Sequence, residues 1–171
     1  MIDAALVIPV YRARDGELHV VMILRQPGGV HGGQVAFPGG KRDPEDETML
    51  DTALREVREE LGLIVNKADV LAELPVAETR TTGYRVFPYL ARIQVPDRWQ
   101  LAEREIAEII DVRLSDLVRP DAHDQRIERY PTWQAPQSVS FYQVGSYRLW
   151  GFSYRILHPI IPRLMEGEWK V

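Results

Sequence analysis

The sequence predicts an α/β fold, helices laid over a mixed β-sheet, and three observations predict it. Short apolar runs of β-like character recur along the chain. One longer segment, from about Thr48 to Leu61, repeats its apolar residues at helical spacing. No internal repeat, low-complexity tract or linker divides these elements. The 171 residues are 45% hydrophobic and 27% charged, which suits a single domain over 1–171 with one continuous core.

The elements follow in order. Ala4–Val10 and His19–Arg25 read as strands around a hairpin turn at Arg14-Asp15-Gly16. A glycine-rich loop, Gly28 to Gly33, leads into a short strand-like Gln34–Phe37 and the turn Pro38-Gly39-Gly40. Leu50, Ala53, Leu54, Val57 and Leu61 form the apolar stripe of the helix, and Gly62 ends it as a C-cap. Val70–Leu74 and Arg85–Ile93 read as further strands, and the pattern of Ile106–Val112 suits a helix or a strand. Leu114–Val118 reads as a short helix, Val139–Val144 as a strand, and Phe152–Leu164 as a final helix interrupted by two prolines.

Composition excludes several classes of function. The formal net charge is −4 with no long basic stretch, so no nucleic-acid partner is expected, because neutralising phosphates needs clustered Lys and Arg. Cysteine is absent, which rules out disulfides and thiolate metal sites and makes a cytoplasmic location the simplest expectation. The start lacks a basic leader and its apolar run is too short to span a bilayer, so no membrane partner is expected. Oligomeric state is left open, a homodimer included.

The chemistry concentrates in Arg55-Glu56-Val57-Arg58-Glu59-Glu60-Leu61-Gly62-Leu63. At 3.6 residues per turn, Glu56, Glu59 and Glu60 fall within an arc of about 100°, away from the apolar stripe. Like charges at i,i+4 cost a helix a few tenths of a kcal/mol, and a divalent cation would reverse that sign. An isolated acidic pair on a helix is ordinarily a solvated face. Here Pro38-Gly39-Gly40 lies just upstream, where a glycine carbonyl can approach a metal closely.

This stretch resembles the Nudix box, glycine-x5-glutamate-x7-arginine-glutamate-U-x-glutamate-glutamate-x-glycine-U, where U is aliphatic. Arg55, Glu56, Val57, Glu59, Glu60, Gly62 and Leu63 match, and Glu47 stands at the right distance from Arg55. Six residues rather than five separate Gly40 from Glu47, so either Glu47 or Asp46 takes the first acidic position. Glu47 is preferred, because extra length is easier to absorb in a loop than in a helix. The resemblance implies a Nudix-type α/β/α sandwich around a mixed sheet, and Mg²⁺ or Mn²⁺ held by Glu56, Glu59, Glu60 and the Gly40 carbonyl. It further implies Arg55 as the orienter of the catalytic glutamates, with Glu47 as its structural partner.

Four separated segments resemble the coenzyme A pyrophosphatases of that family: His31 to Gly40, Thr82 to Tyr89, Glu105 to Ile109, and Leu149 to Phe152. The implied reaction cuts a small nucleotide substrate, coenzyme A or acyl-CoA, into 3′,5′-ADP and 4′-phosphopantetheine. Glu59 is the base within the box, and Glu103, Glu105 or Glu108 are alternatives outside it. One departure stands out: Arg25-Gln26-Pro27-Gly28-Gly29-Val30 is almost uncharged where the subfamily carries basic residues. Arg80, Arg85 or Arg126 could instead hold the 3′-phosphate. His31 is a substrate-binding candidate as well as a loop residue. His19, His123 and His158 read as structural, and Tyr84, Phe87 and Trp150 as packing more than stacking platforms. The rival readings are a Nudix hydrolase of NADH, ADP-ribose or a nucleoside triphosphate, and a non-catalytic nucleotide-binding module of the same fold.

Overall fold

A computed structural model describes residues 1–29 and 31–171; Val30, in the glycine-rich loop, lies outside the described residues. Its spine is β1 (Ile2–Arg12), which runs parallel to β7 (Tyr84–Arg92) from Ile2↔Tyr84 to Val10↔Arg92. A strand in a parallel pair with both faces covered reads as a near-continuous apolar run, which accounts for Ala4–Val10. Along its other edge β1 has two antiparallel partners. Near Val10 it meets β2 (Leu18–Arg25), and at Ala4–Leu6 it meets β4 (Gly39–Lys41). β8 (Ile106–Arg113) pairs along the far edge of β2, β3 (Val35–Ala36) pairs with Ile23 and Leu24 on the edge that also meets β1, and β5 (Val70–Glu73) and β6 (Ala77–Glu78) pair with β7.

Alternation along the strands builds two cores. Ala5, Val7, Val21, Ile23 and Tyr89 face α1 (Met49–Leu61), meeting Ala53, Val57 and Leu61. Leu6, Ile8, Val20, Met22 and Leu90 point the other way, toward α2 (Leu114–Leu117), α3 (Gly151–Leu157) and α4 (Ile161–Met165). The result is the expected α/β/α sandwich. Thr48 caps α1 in a reciprocal capping box with Asp51, and Gly62 closes it at φ 67°.

The structure settles one open choice, divides the last helix at its prolines as expected, and adds strands that the sequence did not predict. Ile106–Arg113 is a strand, because β2 provides a ladder along its whole length. The last helix is cut into α3, a 3₁₀ turn at His158–Ile160 and α4, since Pro159 and Pro162 cannot donate to a continuous helix. A second, three-stranded sheet joins β10 (Gln137–Val144) to β9 (His123–Glu128) and β11 (Tyr147–Trp150), neither of which was expected. β9 is largely exposed and polar, so its strand comes from pairing with β10 and not from its own pattern. Among the described residues no helix is long and apolar enough to cross a membrane.

Candidate active site

The site forms where α1 crosses β4. The ladder with Ala4–Leu6 of β1 fixes Gly39 and Gly40 directly beneath two helix carboxylates. The Gly39 N–H donates to Glu60 Oε2 at 3.0 Å, in a bond wholly buried. A Cβ on Gly40 would stand 2.4 Å from Glu56 Oε1, and one on Gly39 would stand 2.4 Å from the Ala5 carbonyl oxygen. The two glycines therefore have different reasons: the neighbouring strand needs Gly39 bare, and the acidic helix needs Gly40 bare.

The three glutamates share an arc but not an environment. Glu60 is only 2% exposed, whereas the Glu59 side chain is 55% exposed. Burial pushes the Glu60 carboxyl up to about 8, against the pull of Arg25 and the Gly39 N–H, with Glu56 and Glu105 pushing it further up. Burial raises Glu56 as well, opposed by Arg55 and reinforced by Glu59 and Glu105. Arg25, at the end of β2, stands 3.7 Å from Glu60 and is the nearer cation to it.

Arg55 organises the exposed side. Its Nε and Nη2 donate to Asp46 at 3.0 and 2.9 Å, and Nη2 also reaches the Lys41 carbonyl at 3.0 Å. Its Nη1 donates to Glu56 at 3.0 Å and to Glu59 at 3.1 Å. Asp46 is 7% exposed and also accepts from Thr52 Oγ1 and the Asp43 N–H. The Arg55 fork holds the Asp46 carboxyl well below the usual carboxylate range. This corrects the preference for Glu47, which is exposed and does not meet Arg55. The extra residue is taken up between Asp46 and the helix cap, and the carboxylate that packing takes out of water is the one that receives the Arg55 fork.

The other candidates separate clearly. Arg85, on β7, is bound in bidentate fashion to Asp3 of the neighbouring β1, at 2.8 and 2.9 Å. Arg80 is exposed in the turn before β7, and His31 is exposed in the loop before β3. Arg126 is far along β9 and pairs with Asp124. Glu105 is the carboxylate outside the helix whose charge reaches both Glu56 and Glu60, whereas Glu108 accepts from Tyr147 Oη at 2.9 Å. His19 bonds Asp111, and His123 and His158 bond Tyr154 and Tyr142. Trp150 stacks on Tyr130 with centroids 5.2 Å apart. The part of Arg25 was missed in the sequence, since a strand-ending arginine carries no periodic signal.

The donor set is all oxygen: three carboxylates on one helix and the carbonyl of a glycine with no side chain in the way. That chemistry fits a hard divalent cation. Among the described residues no three His, Cys, Asp or Glu side chains already encircle a point; Glu56 and Glu59 are both turned onto Arg55 Nη1.

The chain is similar to known proteins of one family. A family model for the NUDIX domain matches residues 2–134. An uncharacterized Nudix hydrolase NudL of Pectobacterium atrosepticum is 32% identical over 144 residues, covering 80% of this chain and 69% of that protein. Its namesake in Cronobacter sakazakii is 30% identical over 173 residues, covering 96% and 83%. Among solved structures, a MutT/nudix family protein from Enterococcus faecalis superposes with a TM-score of 0.68 at 17% identity over 96% of this chain. The chain spans 62% of that protein's length. The NUDIX domain of Shewanella oneidensis NrtR, complexed with ADP ribose, gives 0.57 at 18% identity, over 69% of this chain and 76% of that one. At these identities the superpositions speak for the fold.

Proposed function

The chain belongs to the Nudix family and is a pyrophosphohydrolase, and from that premise we propose a divalent-metal-dependent enzyme whose substrate is coenzyme A or an acyl-CoA. The observation that carries the metal dependence is the placing of Glu56 and Glu60 against the bare Gly39-Gly40 backbone. Glu56, Glu59, Glu60 and the Gly40 carbonyl would hold Mg²⁺ or Mn²⁺. Such an ion, when bound, neutralises diphosphate charge and lowers the pKa of a coordinated water.

The chain's own residues do the rest. The Gly39 N–H fixes the Glu60 carboxylate, and Arg55, braced by Asp46, aims Glu56 and Glu59. Glu59, the most exposed of the three, takes the proton of the attacking water. Glu105 is the second candidate for that part, because its charge is felt by both Glu56 and Glu60. The water's oxygen attacks one phosphorus in line, the bridging P–O bond breaks, and the departing phosphate takes up a proton. For coenzyme A the products are 3′,5′-ADP and 4′-phosphopantetheine.

The substrate reading is supported by the four segments that resemble coenzyme A pyrophosphatases, His31 to Gly40 among them. A second reading, ADP-ribose or NADH, is favoured by one observation. Arg85, a candidate for the 3′-phosphate, is already engaged by Asp3. The deciding experiment supplies Mg²⁺ with coenzyme A, 3′-dephospho-coenzyme A, an acyl-CoA, NADH and ADP-ribose side by side. Coenzyme A compounds are expected to be cleaved with a weak preference for the 3′-phosphate. Rapid turnover of ADP-ribose or NADH with no cleavage of any coenzyme A compound would overturn the substrate reading and leave the hydrolase standing.

A further inference from the structure

The second sheet ends in an unpaired strand. β9 is the outer member of the order β11-β10-β9, and among the described residues no further strand pairs with it. The Gln143 N–H donates to the Ala122 carbonyl at 2.7 Å, and the ladder alternates from there. Ala122, Asp124, Arg126 and Glu128 therefore turn their backbone groups toward β10, and His123, Gln125 and Ile127 turn theirs to the open edge. The Gln125 N–H is held at 2.8 Å by the carboxylate of its own neighbour Asp124. No strand meets the backbone groups of the other two.

Charges along an edge ordinarily keep a second strand away. Here their order favours one partner. Outward from Gln125, Asp124 on one side answers Arg126 on the other, and Asp121 answers Arg129. A second copy laid antiparallel, with Gln125 on Gln125, sets Asp124 against Arg126 twice and Asp121 against Arg129 twice. The same register puts Glu128 opposite the uncharged Ala122 and Ile127, 73% exposed, beside the ring of His123. A slide of two residues is the smallest that still brings outward backbone groups together. In one direction it sets Arg126 on Arg126 and Glu128 on Asp124; in the other, Asp124 on Asp124 and Arg119 on Arg129. Only the first register is attractive. The side chains are free to adopt it: Asp124 and Arg126 form an exposed pair with each other, Asp121 forms one with Arg119, and Arg129 is exposed. Exposed pairs of this kind exchange partners at little cost.

We propose that β9 is a self-association edge: two copies of this chain pair antiparallel about a two-fold axis at Gln125, joining their three-stranded sheets into one of six strands. The contact is short and polar, so the dimer forms reversibly with concentration. The second sheet packs into the core on the side away from α1, so each copy keeps its own acidic site, and the inference is independent of the substrate.

The chain has no cysteine, so Gln125→Cys in the intact protein places a single thiol on the proposed axis. Residues directly opposite in such a pair have Cα atoms about 5.5 Å apart, within the span of a disulfide. Mild oxidation is expected to link Gln125→Cys into a covalent dimer. Ile127→Cys should not link to itself, because its own copy lies displaced along the strand, but should link to His123→Cys when the two are mixed. Adding Asp124→Arg to Gln125→Cys should slow linking by about tenfold, two attractive contacts having become repulsive. Adding Arg126→Asp to that variant should restore it, and an unchanged melting temperature controls for folding throughout. Sedimentation of wild type over a dilution series should show the mass rising from one chain toward two, less so at high salt. A protein that stays monomeric throughout, Ile127→Cys linking to itself as fast as Gln125→Cys, or no recovery on exchanging the charges would each overturn the inference. The edge would then belong to water or to a strand of another protein.

Discussion

Replacing Asp46 by alanine removes the anchor of Arg55, and its cost can be worked from the structure. The lost carboxylate is 7% exposed and accepts from Arg55 Nε and Nη2, from Thr52 Oγ1 at 2.8 Å and from the Asp43 N–H at 3.0 Å. Breaking a buried ion pair from one side costs about 3–5 kcal/mol. Arg55 keeps the Lys41 carbonyl, Glu56 and Glu59, and its side chain is 17% exposed, so the low end applies, about 3 kcal/mol. For a chain of this size that is a fall in Tm of roughly 6–12 °C. Glu47→Ala, at an exposed position, should change stability by no more than about 0.5 kcal/mol. Urea unfolding of both variants measures the difference. Equal losses, or a larger loss for Glu47→Ala, would refute the assignment of Asp46 as the partner. pH adds a second measurement. The Asp46 carboxyl is held below its unfolded value by Arg55, and the unfolded value lies near ~3.9. Its contribution is therefore fully present above that pH and drains away as pH falls toward the folded pKa. Asp46→Asn should lose this part of the acid sensitivity.

The remaining predictions concern the site. Gly40→Ala drives a methyl into the Glu56 carboxylate, the movable end of a side chain, so activity should fall by about 10–100-fold with little change in Tm; unaltered kcat would refute the close-approach argument. Gly39→Ala strikes the Ala5 carbonyl and Leu6 Cβ, and thermal melting should show the larger loss of stability there. Glu60→Gln keeps an acceptor for the Gly39 N–H and replaces a buried carboxyl whose ionised form burial disfavours. Melting in chelator should match or exceed wild type while Mg²⁺-supported turnover collapses; near-normal turnover at saturating Mg²⁺ would count against the metal assignment. Arg55→Lys keeps the charge but cannot span Asp46, Glu56 and Glu59 with one planar group. Steady-state kinetics should show kcat falling more than KM changes, and a pure KM effect would point to substrate contact instead.

How much of this was legible beforehand depends on the range of each interaction. The acidic helix, its Gly62 stop and the Gly39-Gly40 turn could be read directly, because helical periodicity and capping act over a few neighbours. The buried β1 and β7 were legible as well, since a strand covered on both faces is apolar throughout. From these elements the sequence determined the α/β class and the shared arc of the three glutamates, and the resemblance to the Nudix box implied the family fold. What only the tertiary structure decided involves partners far apart in the chain. β8 is a strand because β2 lies beside it, and β9 is one because of β10. Glu59 and Glu60 are adjacent in sequence and share the polar arc, yet only Glu60 is buried, against Gly39. Arg25 reaches Glu60 across 35 positions of chain. The choice between Asp46 and Glu47 was open in one dimension, where both precede the helix at acceptable spacing. It closed in three, because a half-buried guanidinium requires the carboxylate that packing has already taken out of water.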